Sequence, residues 1–250
     1  MSWRVPLFTS FFYLLITWRH LSHTTSTGRQ AAVVAHAARC LAAGRDLLVT
    51  SIGALANDAL YEQLLGIASA HGATTAGLPG GSSSAGKLLV AAGAMPAVDW
   101  MAAASLGISP EKLDVRFTQT KPPVSWIGAR YDPVTKQAKD DVIDFAALTE
   151  PKVFFVGSAR EAAAEYPKNS NVAAMLALAT AGLDGTKVEL VADPTPPKRN
   201  VSSVSFKGPI GTLSVEVEGT QSANPRTGAV VPLTVLRAIQ VRLGAVVLGA

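Results

Sequence analysis

The chain has 250 residues, 48% hydrophobic and 16% charged, enough for one large or two smaller domains with real cores. Abundant Ala, Gly and Val with so little charge exclude a disordered chain and suit a buried α/β sheet. The formal charge of +4 comes without a Lys/Arg cluster or aromatic–basic interleaving, so nucleic acid is not an expected partner.

The first 29 residues stand apart in composition. An apolar, aromatic run from Val5 to Trp18 follows Arg4, and the whole stretch contains no acid. It resembles the front of a signal peptide, but no small-x-small cleavage site follows it. The run is short and interrupted by Thr and Ser, so no membrane span is expected. Residues 1–29 are read as a divergent N-terminal segment.

"QAAVVAHAARCLAAG" then places Val33, Val34, Ala37, Ala38 and Leu41 at helical spacing, with Gly44 as the stop. The one cysteine, Cys40, lies in this helix as a small buried hydrophobe; a single thiol allows no internal disulfide and suits a reducing, cytoplasmic compartment. "DLLVTSIG" reads as a buried strand, and "NDALYEQLLGIASAHG" as a helix capped by Asn57 and ended near Gly72. This rhythm with short connections predicts a parallel sheet. "GLPGGSSSAGK" ends in Gly-Lys, yet Leu88 follows Lys87 and a strand comes next, so it is a flexible loop and not a phosphate loop.

"KLLVAAGAMPAVDWMAAASLG" gives strand, glycine turn and helix, with Pro96 near the helix start. "KLDVRFTQTKPP" is an alternating strand stopped by two prolines. "PKVFFVGSAREAAAEYPKN" gives a strand, then a helix opened by a Ser158–Glu161 capping box. In "KNSNVAAML", Asn169, Ser170 and Asn171 can each cap the next helix, and one suffices. Three strands follow, "KVELVAD", "VSSVSFKG" and "GTLSVEVEG", the last two joined by a "GPIG" hairpin. A final apolar helix covers roughly residues 229–248. That order fits a two-domain nucleotide-type dehydrogenase whose last helix returns to the first domain.

No metal-ligand cluster stands out. The four histidines, His20, His23, His36 and His71, all lie outside the β-rich half. Neither a Gly-x-Ser-x-Gly elbow nor a Gly-x-Gly-x-x-Gly after a first strand is present.

"VTSIGAL" (49–55), "AAGAMPAVDWMAAA" (91–104), "KPP" (121–123), the block 157–194 from "GSAREAAAEYPKNSNVAAML" to "VADP", and "NPRTG" (224–228) occur in this order. Together they resemble the L-aspartate dehydrogenase family over about residues 30–250. The resemblance implies an α/β fold: a partial Rossmann-like domain from 30–90 plus 226–250, and an α+β domain with an open mixed sheet from 91–225. It implies NAD or NADP as cofactor, a dicarboxylate substrate and a homo-oligomer. The enzymes interconvert L-aspartate with iminoaspartate and oxaloacetate.

Residue by residue, the resemblance assigns nicotinamide contacts to Ala94, in the Gly-Ala turn, and to Asn171; capping of the helix is the competing role for Asn171. Lys121 matches a basic Lys-Pro stretch and suits carboxylate pairing or proton transfer, against a plain solvated strand end. Ser202 stands where the family carries its active-site histidine, after Ala-Asp-Pro. A hydroxyl does not titrate near neutral pH, so Ser202 can orient a water or a carboxylate, or be only a polar strand residue. The glycine-rich loop with which the family begins has no counterpart, so weakened dinucleotide binding is expected. Two alternatives stay open: a catalytically impaired, structural member of the family, and a dehydrogenase for another amino or keto acid.

Overall fold

The structure, a computed structural model, describes residues 21–24, 30–74, 86–197, 200–220 and 228–243. The apolar run Val5–Trp18 and nearly all of the Gly/Ser loop lie outside these residues.

Two sheets organise the described residues. The first is parallel and three-stranded, in the order β1 (Leu21–Thr24), β2 (Asp46–Val49), β3 (Leu88–Val90). The boundary expected after residue 29 therefore does not mark the edge of the sheet: β1 falls inside the 1–29 segment and pairs with β2 along its whole length. All four residues of β2 are buried, as befits a central parallel strand. Helices α1 (Gln30–Ala42) and α2 (Asp58–Thr74) pack beside it. α1 buries Val33, Ala37 and Leu41 on one stripe, while Val34 is 58% exposed. Cys40, expected buried, is only half-buried because it sits at the edge of that stripe. α1 ends in a Schellman pair: Arg45 N–H donates to the Cys40 carbonyl and Gly44 N–H to that of Leu41. The Asn57 side chain caps α2 by accepting from Leu60 N–H at 3.0 Å.

The second sheet is mixed, in the order β5 (Lys152–Ser158), β6 (Thr186–Ala192), β4 (Asp114–Lys121), β7 (Asn200–Gly208), β8 (Gly211–Gly219). β4 and β6 are parallel, and the other neighbours are antiparallel. The hairpin expected at "GPIG" turns through Pro209 and Ile210, closed by the Gly208–Gly211 pair. Five helices complete the described chain: α3 (Val98–Ser105), α4 (Ala159–Glu165), α5 (Asn171–Ala179), α6 (Gly182–Gly185) and α7 (Val231–Leu243). α4 opens with the predicted Ser158–Glu161 capping box.

Alternation along β4 decides what the sheet covers. Val115, Phe117, Gln119 and Lys121 are buried on one face. Across the ladders Phe117 lies between Val188 and Val204, and Val115 between Thr186 and Phe206. Trp100 of α3 meets Phe206 edge-on at 5.7 Å. Burial of Val115, Phe117, Val188 and Phe206 contributes roughly 1.5–3 kcal/mol for each side chain. On the opposite face Arg116, Glu189 and Glu216 are exposed among the described residues.

Polar links tie the two sheets' layers together. Arg160 of α4 donates to Asp58 of α2 at 3.1 Å, to the Ala56 carbonyl at 2.9 Å, and to both carboxylate oxygens of Asp184 in α6 at 2.7 and 2.8 Å. The pairing with Arg160 holds the Asp184 carboxyl below its usual range. At the far end Asp46, 3% exposed, accepts from Lys87 N–H at 2.8 Å and from Arg242 Nε of α7 at 2.5 Å. The last helix thus returns to the first sheet.

Candidate functional site

The parallel strands β2 and β3 end on the same side of the first sheet, and α5 begins there. After β2 the chain enters a short 3-10 turn, Ile52–Ala56, against which α5 packs. Gly53 N–H donates to Asn171 Oδ1 at 3.0 Å. Gly53 has no room for a side chain: a Cβ there would stand 2.4 Å from Gln30 Nε2 and 3.5 Å from Asn171 Oδ1. Gln30 Nε2 in turn reaches the Ala163 carbonyl at 3.5 Å.

After β3 the chain turns at Gly93, whose φ of +64° suits glycine. A Cβ on Gly93 would be 3.9 Å from Val172 Cγ2, and one on Gly228 would be 3.9 Å from Ala94 Cβ. Gly93 and Val172, the neighbours of Ala94 and Asn171, therefore lie close together, which sets these two candidate residues near one another. It also narrows what Asn171 can do. Its Oδ1 is taken by Gly53, and its Nδ2 donates to no described residue. The side chain is a hydrogen-bond donor towards whatever occupies this end of the sheet.

Asn171 is not the helix cap. Ser170 holds the N-cap position of α5, and its hydroxyl makes no capping bond. Nor does Asn169 cap: its Oδ1 accepts from Lys121 Nζ at 3.2 Å. None of the three polar side chains of "NSN" caps the helix.

Lys121 and Ser202 lie on the covered face of the second sheet, at the ends of β4 and β7 nearest α5's first residues. Lys121 is 4% exposed, with Nζ 5.3 Å from the centre of the Trp126 ring. That burial excludes the solvated strand-end reading of Lys121. Ser202 pairs directly with Gln119 across the β4–β7 ladder, and its Oγ donates to Gln119 Oε1 at 3.2 Å. Gln119 Nε2 donates to Asn200 Oδ1 and to the Val201 carbonyl, both at 2.9 Å. Ser202 and Lys121 share the face but not a bond; Gln119, two residues before Lys121, stands between them.

Gln119, Asn200, Asn169 and Gln30 are site neighbours that the motifs did not single out. The alternation Val115–Phe117–Gln119–Lys121 held the signal for Gln119, since it continues a buried apolar row with an amide. Asn169 and Gln30 carry no such signal, because their partners are 48 and 133 residues away in sequence.

Tyr166, at the start of "YPKNSN", is a packing residue. Burial pushes its phenol up to about 12. It stacks edge-on with Trp126, Phe154 and Phe155 at 5.4–6.5 Å between centroids, which anchors the segment leading into α5. His36 is exposed on α1, and His71's side chain lies outside the described residues. Among the described residues no group of three or more His, Cys, Asp or Glu could hold a metal.

Residues 99–242 match the family model "Aspartate dehydrogenase, C-terminal". The chain is 38% identical over 213 residues to an L-aspartate dehydrogenase of Ruegeria pomeroyi, a match covering 85% of this chain and 68% of that one. It is 34% identical over 236 residues to L-aspartate dehydrogenase 2 of Bordetella pertussis, covering 94% and 79%. The chain belongs to the aspartate dehydrogenase family. A crystal structure of the aspartate dehydrogenase of Thermotoga maritima shares the fold, with a TM-score of 0.66 over 99% of this chain and 86% of that one at 19% identity.

Membership of the aspartate dehydrogenase family gives the two clusters an order. The Gly53–Ala94–Asn171 group sits at the C-terminal ends of parallel strands, where open α/β sheets bind their ligands. The Lys121–Asn169 and Gln119–Ser202 groups sit beside it on the second sheet. No described helix is long and apolar enough to cross a membrane.

Proposed function

We propose that the chain is an NAD(P)-dependent oxidoreductase of the aspartate dehydrogenase type, interconverting aspartate with iminoaspartate and oxaloacetate plus ammonia. The observation that carries this reading is the meeting of Asn171 with the turns after β2 and β3. Those residues fit a flat carboxamide-bearing ring. The small residues Gly93 and Ala94, both part-exposed, leave backbone open to close approach, and the Asn171 amide is held by the buried Gly53 with its N–H groups available. When bound, the nicotinamide supplies or accepts the hydride.

The chain's own residues then divide the remaining tasks. Asn171 orients the ring by donating to its carboxamide oxygen, with Gly53 N–H locking the amide. Lys121 supplies a buried positive charge for the dicarboxylate substrate. Gln119 and Asn200 fix the Ser202 hydroxyl, which can hold a water or a substrate oxygen at the position where the family resemblance expects histidine. The open face of the second sheet offers the surface for a homo-oligomer, and a reducing cytoplasm is the compartment that fits.

One observation favours a second reading, a catalytically impaired member. The Gln119–Asn200–Ser202 network contains no group that titrates near neutral pH. General acid–base help typically contributes about 100- to 10,000-fold. Oxidation of NADH or NADPH by oxaloacetate plus ammonia, with a parallel cofactor titration, separates the readings. Binding with slow turnover is expected. Turnover of Ser202→His should rise about 100-fold and acquire a pH dependence near about 6.5. Absence of cofactor binding at millimolar concentration defeats the oxidoreductase reading. Turnover with alanine or glutamate exceeding that with aspartate moves the substrate assignment to another amino acid.

A further inference from the structure

Two helices beside the second sheet hold the turn Ile52–Ala56, one near each end. Near its start Gly53 N–H donates to Asn171 Oδ1 of α5 at 3.0 Å. At its last residue the Ala56 carbonyl accepts from Arg160 Nη1 of α4 at 2.9 Å. The turn is poorly held from within. It is a 3-10 segment of five residues with no side-chain bond at its N-cap, and its C-terminal end closes on a long bond, Asn57 N–H to the Ala54 carbonyl at 3.4 Å. Hydrogen bonds of this type are weaker than those of an α-helix. Gly53 and Ala56 are one 3-10 turn apart, so a shift at Ala56 is carried to Gly53.

Arg160 is placed to prevent that shift. The Ser158–Glu161 capping box fixes the start of α4 around it. Both carboxylate oxygens of Asp184 accept from Arg160, Oδ1 from Nε at 2.7 Å and Oδ2 from Nη2 at 2.8 Å, a fork-to-fork contact that sets the guanidinium plane. With the plane set, Nη1 is the group that reaches the turn, and there it also meets Asp58 at 3.1 Å. Asp58 and Asp184 are exposed, so their ion pairs add little stability by themselves. What they supply is direction. We infer that Arg160 is a positioning residue for the cofactor site: through the Ala56 carbonyl it fixes the turn Ile52–Ala56, and hence the Gly53 N–H that holds the Asn171 amide. The inference rests on the reading of Asn171 as the nicotinamide contact. Once Ala56 is released, the Gly53–Asn171 bond loosens and the amide loses the orientation that a carboxamide needs.

The test uses the full chain. Arg160→Lys keeps the charge but loses the fork, since one ammonium cannot serve Asp184 and the Ala56 carbonyl in the same geometry. It should weaken NADH about 3- to 10-fold in a fluorescence titration. Asp58→Asn removes an exposed contact and leaves the fork, so NADH affinity should stay within about 2-fold of wild type. In an Asn171→Ala background Arg160→Lys should cost nothing further, because the bond it protects is already gone. Amide exchange followed by NMR reads the turn without cofactor. Gly53 N–H should exchange about 3- to 10-fold faster in Arg160→Lys, while amides of β4 and β6 keep wild-type rates. Melting temperatures report folding. Asp184→Asn unpins the guanidinium but keeps the arginine; it should give the same changes at smaller size, and decides the matter where Arg160→Lys does not fold. Wild-type NADH affinity in the folded variant, additive losses in the double variant, or unchanged Gly53 exchange overturns the inference. Equal loss in Asp58→Asn assigns the effect to surface charge and overturns it too. If the wild type binds no NADH while Gly53 exchange rises as expected, the hold of Arg160 on the turn stands and the dehydrogenase reading falls.

Discussion

The covered face of the second sheet has two ends built on one backbone pattern. At one end Val115, Phe117, Val188, Val204 and Phe206 interlock; at the other the same rows carry Gln119, Lys121, Asn200 and Ser202. The strands do not change, nor does the alternation, yet the first end can only pack while the second must satisfy hydrogen bonds inside the protein. Stability is concentrated where every side chain is apolar. Chemistry is possible where buried donors meet at the mouth of the first sheet, because a ligand can complete what the protein leaves unfinished.

The contrast is easily broken at the apolar end. Phe117→Ala should cost about 3–5 kcal/mol in urea unfolding, since it removes a fully buried ring between two neighbouring strands. Binding by any surviving folded protein should be little altered. Asn171→Ala should do the reverse in weight. It leaves Gly53 N–H without its acceptor, for about 1–2 kcal/mol, and should weaken NADH or NADPH about 10-fold in a fluorescence titration.

Tyr166 sharpens the comparison from the side, because it is a polar residue used as an apolar one. Its folded phenol titrates at about 12, above an ordinary value of 10.0, so the folded state holds its proton longer than the unfolded state does. The stabilisation is complete below pH 10 and lost as pH rises towards 12, on the order of 2 kcal/mol. Denaturant midpoints measured from pH 9 to 12 should fall in that window, and Tyr166→Phe should flatten the fall. The smallest effect belongs to Ser202→Ala. It removes one hydrogen bond at 3.2 Å to an amide that has other partners, and should change stability by less than about 1 kcal/mol.

Much of the fold could be read from pattern. The strand of "DLLVTSIG", the capping box at Ser158, the stop at Gly44 and the hairpin at "GPIG" are local decisions, made by residues within a few positions of one another. β1 was not legible in the sequence because it is four residues long and owes its existence to pairing with β2. At the site, motif wording pointed to Ala94, Lys121, Asn171 and Ser202, and alternation could have added Gln119. The role of Asn169 was beyond reach, since three adjacent polar residues look equally able to cap a helix.

What the sequence determined by itself was the order of most helices and strands, the apolar rows that bury, and the residues able to carry chemistry, because periodicity, capping and turn preferences act over one or two turns of chain. What only the tertiary structure decided was the direction of each polar side chain in "NSN". Asn171 bonds to a backbone N–H 118 residues away and Asn169 to a lysine 48 away, while Ser170 caps nothing. Those choices depend on which strand ends the folded chain brings against the start of α5, and no local preference records that.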